Sequence, residues 1–207
     1  MGGANGGNVA SAIAVETIRE QILAGFNENL SKPNIKNLMV NAISRANEAV
    51  HKASLEQPEL RGMGTTVVLL IATKGTLHTA MWGQPGLSPP PGRAEPDHHG
   101  PLLCAGPGEL WTNYPAEARI HPKRNIITRV LGVHEQVRCD YNAWDFSPGD
   151  VALACSDGLS NYMEDELLEE YLDKYGETGN ILAKELIQYA IECGGADNIT
   201  AAVIYNG

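Results

Sequence analysis

The chain has 207 residues, 43% of them hydrophobic, enough to bury one good core, and that length points to a single domain over 1–207. Twenty-five acidic against 15 basic residues leave a net charge of −10, with the lysines and arginines scattered, which excludes nucleic acid and anionic membrane surfaces as partners. No apolar run approaches the ~20 residues that span a bilayer, no basic stretch followed by an apolar one opens the chain, and Cys104, Cys139, Cys155 and Cys193 are widely spaced without a Cys-x-x-Cys pair. The expectation is a cytoplasmic monomer with reduced thiols, not a zinc site or a disulfide framework.

The apolar period predicts a first helix over 8–26, with Ile18, Ile22 and Phe26 on one face and Asn8 as N-cap. A second helix is predicted over 33–57, with a stripe of Ile35, Leu38, Ala42, Ala46, Ala49 and Ala53 and with Pro58 just beyond its end. Small residues on that stripe favour close packing on a flat neighbour such as a sheet. A hairpin follows: strands over 65–73 and 76–82 around a turn at Lys74-Gly75. Residues 84–114 hold seven of the twelve prolines and no apolar period, so they are expected to be irregular and poorly packed. Alternation through Val137, Cys139 and Tyr141 predicts a half-buried strand over 135–146. Pro148-Gly149-Asp150 then turns the chain into an apolar strand ending near Asp157. Helices near 164–174 and 178–193 and a strand over 199–205 complete an α+β chain with mainly antiparallel sheet.

Two acidic strings stand out, Ala154-Cys155-Ser156-Asp157-Gly158-Leu159 and Gly194-Gly195-Ala196-Asp197-Asn198-Ile199-Thr200. Each sets a lone Asp at the end of an apolar run. A carboxylate buried there is costly unless a cation or donors compensate it, and two such carboxylates point to a hard-metal site of oxygen ligands. Taken singly, an Asp before Gly reads equally as a turn former, and Asp-Asn as a cap. His98-His99 has no partner at ligand spacing, and His121 before Pro122 reads as a structural corner.

Together with the rest of the chain these strings resemble the bacterial metal-dependent protein phosphatases, the PPM or type 2C Ser/Thr phosphatases. Met1-Gly2-Gly3-Ala4-Asn5-Gly6-Gly7 looks like the tail of that family's Asp-Gly-Met-Gly-Gly turn, and Gly62-Met63-Gly64-Thr65-Thr66 matches its Gly-x-Gly-Thr-Thr string. Ala116-Glu117-Ala118, His121-Pro122-Lys123-Arg124-Asn125 and Thr128-Arg129-Val130-Leu131-Gly132 match its mid-section. Pro148-Gly149-Asp150, Ser156-Asp157-Gly158-Leu159 and Asp197-Asn198-Ile199-Thr200 follow in the family's order. The resemblance implies a β-sandwich of mainly antiparallel sheets flanked by helices in αββα layers, around a dinuclear Mn²⁺ or Mg²⁺ centre. Water acidified by the cations would attack the phosphorus of a phosphoserine or phosphothreonine. It places Asp157 and Asp197 on two metal-ligand positions, through which they would serve catalysis, with Gly158 beside them and Asn198 bracing the second aspartate. The implied partners are phosphorylated proteins, targets of a Ser/Thr kinase.

The resemblance also shows departures. Met1 stands at the Met of Asp-Gly-Met-Gly-Gly, so the phosphate-gripping Arg, a first-strand Asp and the bridging Asp-Gly are expected upstream of Met1. Turnover is accordingly expected of a chain extended upstream and not of one beginning at Met1. The alternative is a pseudophosphatase that binds phosphoproteins without catalysis. Gln84 occupies the family's Gly-Asp-Ser aspartate position. Read one base later, residues 84–114 can spell the family's missing strings, which points to two compensating frameshifts.

Overall fold

The computed structural model describes residues 6–82, 102–106, 109–112 and 130–207. In chain order its elements are α1 (Gly7–Gly25), α2 (Lys32–Glu56), a 3₁₀ turn (Pro58–Leu60), β1 (Val67–Thr73), β2 (Thr76–Trp82), β3 (Leu102–Gly106), β4 (Glu109–Thr112), β5 (Asp140–Asp145) and β6 (Val151–Cys155). There follow α3 (Asp157–Ser160), α4 (Asp165–Tyr175), α5 (Gly179–Glu192) and β7 (Ala201–Tyr205). The elements group into two compact units, each with its own apolar cluster.

The first unit holds α1, α2 and most of the three-stranded sheet β1-β2-β5. α2 starts after Ser31 with Pro33 in its first turn, where the missing N–H costs nothing. Its buried residues Ile35, Met39, Ala42, Ile43, Ala46 and Val50 recur every three or four positions. Ala49 and Ala53 of the predicted stripe are only half-buried, because the larger Met39, Ile43 and Val50 take the centre of the face. The face packs against Ala10, Ala14 and Ile18 of α1 and against Ala80 and Trp82 of β2. α1 begins one residue before the predicted cap: Gly6, at φ +89°, holds the N-cap position and Asn8 lies inside the helix. The β1–β2 hairpin turns at Lys74 and Gly75, both with positive φ (50° and 67°), the backbone that a two-residue hairpin loop requires.

Asn47 ties α2 to the segment before β5. Its Oδ1 accepts the Gly132 N–H at 2.8 Å, and its Nδ2 donates to the carbonyls of His134 (2.9 Å) and Glu135 (3.2 Å). Gly132 sits at φ +88°, where a Cβ would run into Val50 and approach the Met63 carbonyl, so the segment lies directly on the helix.

The second unit contains the antiparallel sheet β4-β3-β6-β7 with α3, α4 and α5. Val151, Leu153 and Cys155 of β6 and Ala201, Val203 and Tyr205 of β7 alternate onto one face, against Leu168, Leu182, Leu186 and Ala190 of the helices. The Pro148-Gly149-Asp150 turn forms as predicted, with Gly149 at φ +94° and the Asp150 carboxylate accepting the Ser147 N–H at 2.7 Å. One expectation fails here. Residues 102–106 and 109–112, taken for irregular chain, are strands, because β6 supplies a ladder for β3. The other residues of 84–114, Gln84 and His98-His99 among them, lie outside the described residues, as do His121 and Met1–Asn5. Of the cysteines whose side chains are described, Cys139 is half-buried, Cys155 buried and Cys193 exposed.

Two predictions follow from the first unit. Asn47→Ala strands one buried donor and two acceptors and should destabilise the protein by about 2–3 kcal/mol in urea unfolding. His78, buried in β2, has its Nδ1 2.7 Å from the Tyr141 hydroxyl, with Lys36 Nζ over the Tyr141 ring. Burial, reinforced by the charge of Lys32, holds the imidazole pKa below its ordinary 6.5. The unfolded imidazole therefore takes up a proton that the folded one resists. This contribution to stability is complete above pH 6.5 and is lost as the pH falls below it. The urea midpoint should drop more between pH 7.5 and 5.0 for wild type than for His78→Gln.

Candidate metal centre

β6 ends at Cys155, paired with Ala201 of β7; at that end of the pair the first acidic string leaves β6 and the second leads into β7. Asp157 is two residues past Cys155 and opens α3, a single helical turn. Asp197 lies four residues before Ala201, in the link from α5. The chain thus brings to one end of β6–β7 two aspartates that are forty positions apart in sequence. Both are exposed. That corrects the expectation of buried strand-end carboxylates: water meets both, and no desolvation cost demands a cation.

The two strings touch through backbone and hydroxyl groups. The Ser156 N–H donates to the Thr200 carbonyl at 3.0 Å. Ser156 Oγ donates to the Asn198 carbonyl at 2.9 Å and accepts the Thr200 N–H at 3.0 Å. Gly158 is buried against the Asn198 peptide, where a Cβ would collide with the Asn198 carbonyl and press on Ile199. The Asn198 main-chain N–H donates to Asp197 Oδ1 at 2.7 Å. The Tyr162 hydroxyl accepts the Ala196 N–H at 3.2 Å. Ser156 belongs to the Ser156-Asp157-Gly158-Leu159 string and Tyr162 follows it, but neither carries a signal of its partner in sequence.

The carboxylate oxygens of Asp157 and Asp197 suit Mn²⁺ or Mg²⁺, hard ions that take oxygen donors. They are not a whole ligand set. Among the described residues no three His, Cys, Asp or Glu side chains come together to hold an ion.

No family model matches the chain. The serine/threonine phosphatase Stp of Listeria monocytogenes is 30% identical over 211 residues, covering 99% of this chain and 81% of its own. The chain belongs to the PPM, or type 2C, Ser/Thr protein phosphatases. A solved bacterial serine phosphatase superposes over 100% of this chain and 83% of its own, with a TM-score of 0.78 and 26% identity. The catalytic domain of the serine/threonine protein phosphatase PstP, solved with two manganese ions, covers 98% of this chain and 83% of its own at a TM-score of 0.74 and 26% identity. The α+β architecture with antiparallel sheets is that of these PPM structures. The family is metal-dependent, which accords with the oxygen donors that the strands deliver here.

Gly158→Ala tests the contact between the two strings. The added methyl meets backbone that cannot step aside, so the variant should lose about 1–3 kcal/mol in urea unfolding. A neutral Gly158→Ala would mean that the Asn198 peptide does not lie against α3.

Proposed function

We propose that this chain is a Mn²⁺- or Mg²⁺-dependent phosphatase of phosphoserine and phosphothreonine in proteins, with Asp157 and Asp197 among the metal ligands. The observation that carries the site is the delivery of both carboxylates to the same end of β6–β7 in a PPM chain. Divalent cations held by Asp157 and Asp197 would supply acidified water and offset the charge of the phosphoryl group. The chain's own part is to hold both carboxylates at one end of a fixed ladder, with Gly158 allowing the two strings to meet and the Asn198 N–H orienting Asp197.

The relatives' alignments run across nearly the whole chain, which supports one catalytic domain over 1–207. The net charge of −10 supports phosphoproteins over nucleic acid as substrates. A Ser/Thr kinase would supply those substrates, and a cytoplasmic monomer suits that exchange. Among the described residues no helix is long and apolar enough to cross a membrane. Nothing among the relatives' names favours the pseudophosphatase alternative.

The test is phosphate release from a phosphothreonine peptide, by this 207-residue chain and by a version extended upstream of Met1. EDTA should abolish release and Mn²⁺ should restore it. Asp157→Asn and Asp197→Asn should each lower kcat/KM by about a hundredfold or more, the equivalent of roughly 3 kcal/mol. Turnover that survives EDTA, or either substitution, would contradict the assignment.

A further inference from the structure

We propose that Ser156 and Tyr162 are positioning residues that hold the Asp197 loop beside Asp157, so that the two carboxylates meet a divalent cation as a preformed pair. The inference rests on the metal-dependent reading above and adds to it the groups that set its geometry.

The argument starts from one carbonyl with two claims on it. Ser156 is the last residue of the β6 line and the N-cap residue of α3. In a continued antiparallel ladder its carbonyl would accept the Thr200 N–H, the return partner of the Ser156 N–H bond to Thr200. The helix takes that carbonyl instead, through the N–H groups of Leu159 (3.0 Å) and Ser160 (3.2 Å). The Thr200 N–H is satisfied by Ser156 Oγ, and the hydroxyl's own proton goes to the Asn198 carbonyl. A hydroxyl donates once and accepts at the same time, which is what this junction needs. Alanine would leave both backbone groups of the loop without these partners.

Tyr162 works on the other side of the aspartate. Its hydroxyl accepts the Ala196 N–H, so the residues before and after Asp197 are each held by a group from the β6–α3 segment. Each of these bonds adds little to stability at a water-exposed site. Their effect is on placement: they restrict a loop that carries a ligand, and groups that orient metal ligands typically affect metal affinity ten- to a hundredfold.

The experiment measures Mn²⁺ binding by electron paramagnetic resonance of the free ion, on the unsubstituted protein and on Ser156→Ala, Ser156→Thr, Tyr162→Phe, Asp157→Asn and Asp197→Asn. Ser156→Ala should raise the Mn²⁺ Kd about tenfold and Tyr162→Phe by several-fold, while Ser156→Thr, which keeps the hydroxyl, stays near wild type. Activity should follow the same pattern: the Mn²⁺ concentration for half-maximal turnover rises in Ser156→Ala, and kcat recovers at saturating Mn²⁺. Tyr162→Phe removes one hydroxyl and leaves the strand pairing intact, so it reports even if Ser156→Ala fails to fold. Wild-type Mn²⁺ affinity in Tyr162→Phe and in folded Ser156→Ala, with affinity lost in the two aspartate variants, overturns the positioning role. Wild-type affinity in the aspartate variants overturns the metal site itself, and the positioning role with it.

Discussion

Five backbone pairs, from Val151↔Tyr205 to Cys155↔Ala201, lock β6 to β7 in one register, and that register decides where Asp157 and Asp197 fall. A slip of one residue would turn Val151, Leu153 and Cys155 away from the helices and expose the apolar face. A slip of two would keep the faces but move one aspartate about 7 Å along the strand relative to the other. The apolar cluster rules out the first error. The second is resisted at the far end, where the Gly149 N–H donates to the Asn206 carbonyl at 2.6 Å and the Asn206 N–H to the Asp150 carbonyl at 3.0 Å. Asn206 also donates its side-chain amide to the Phe146 carbonyl at 2.8 Å. The end of the ladder remote from the aspartates therefore sets the register on which their alignment depends.

Because Asp157 and Asp197 are exposed, the fold does not lean on a metal to offset buried charge. What holds the second unit is the apolar cluster of Leu153, Leu159, Leu168, Leu182 and Leu186, all at 0–1% exposure. Core and proposed site are thus separable along β6: alternate residues face the helices up to Cys155, and two residues later the chain carries the exposed Asp157. A substitution at either aspartate is expected to change chemistry far more than stability, and the reverse holds for the leucines.

Much of this was legible in the sequence because the signals were local. The helices declared themselves through apolar period and flanking prolines, and the first hairpin through Lys74-Gly75 between two β-rich runs. The aspartates were legible as family strings, although the reason first assigned to them, burial, was wrong. The β3–β4 pair was missed for an instructive reason. Leu102 to Gly106 is a short apolar run before Pro107-Gly108, itself a turn signal, but the prolines of the surrounding stretch outweighed it. β3 is secured by β6, nearly fifty positions away, and such pairing leaves little trace in local propensity. The Asn47 clamp and the Ser156 junction were invisible for the same reason: a polar side chain does not announce which distant backbone group it will satisfy.

The path from α5 to β7 shows how an exposed loop can still be well placed. α5 stops as Gly194 and Gly195 take φ of +125° and +53°, with the Gly195 N–H returning to the Ala190 carbonyl at 3.1 Å. Positive φ at two successive residues is readily met by glycine, so the glycine pair before Asp197 is a steering device. Next, Tyr162 engages Ala196, the Asn198 N–H engages the Asp197 carboxylate, and Ser156 engages Asn198 and Thr200. Little of the link is left to be positioned by the ion. A ligand loop ordered before binding spares the metal the entropy of ordering it, and that saving appears as affinity. On this view the glycines, the tyrosine and the serine belong to the metal centre as much as the carboxylates do, though none of them would touch the ion.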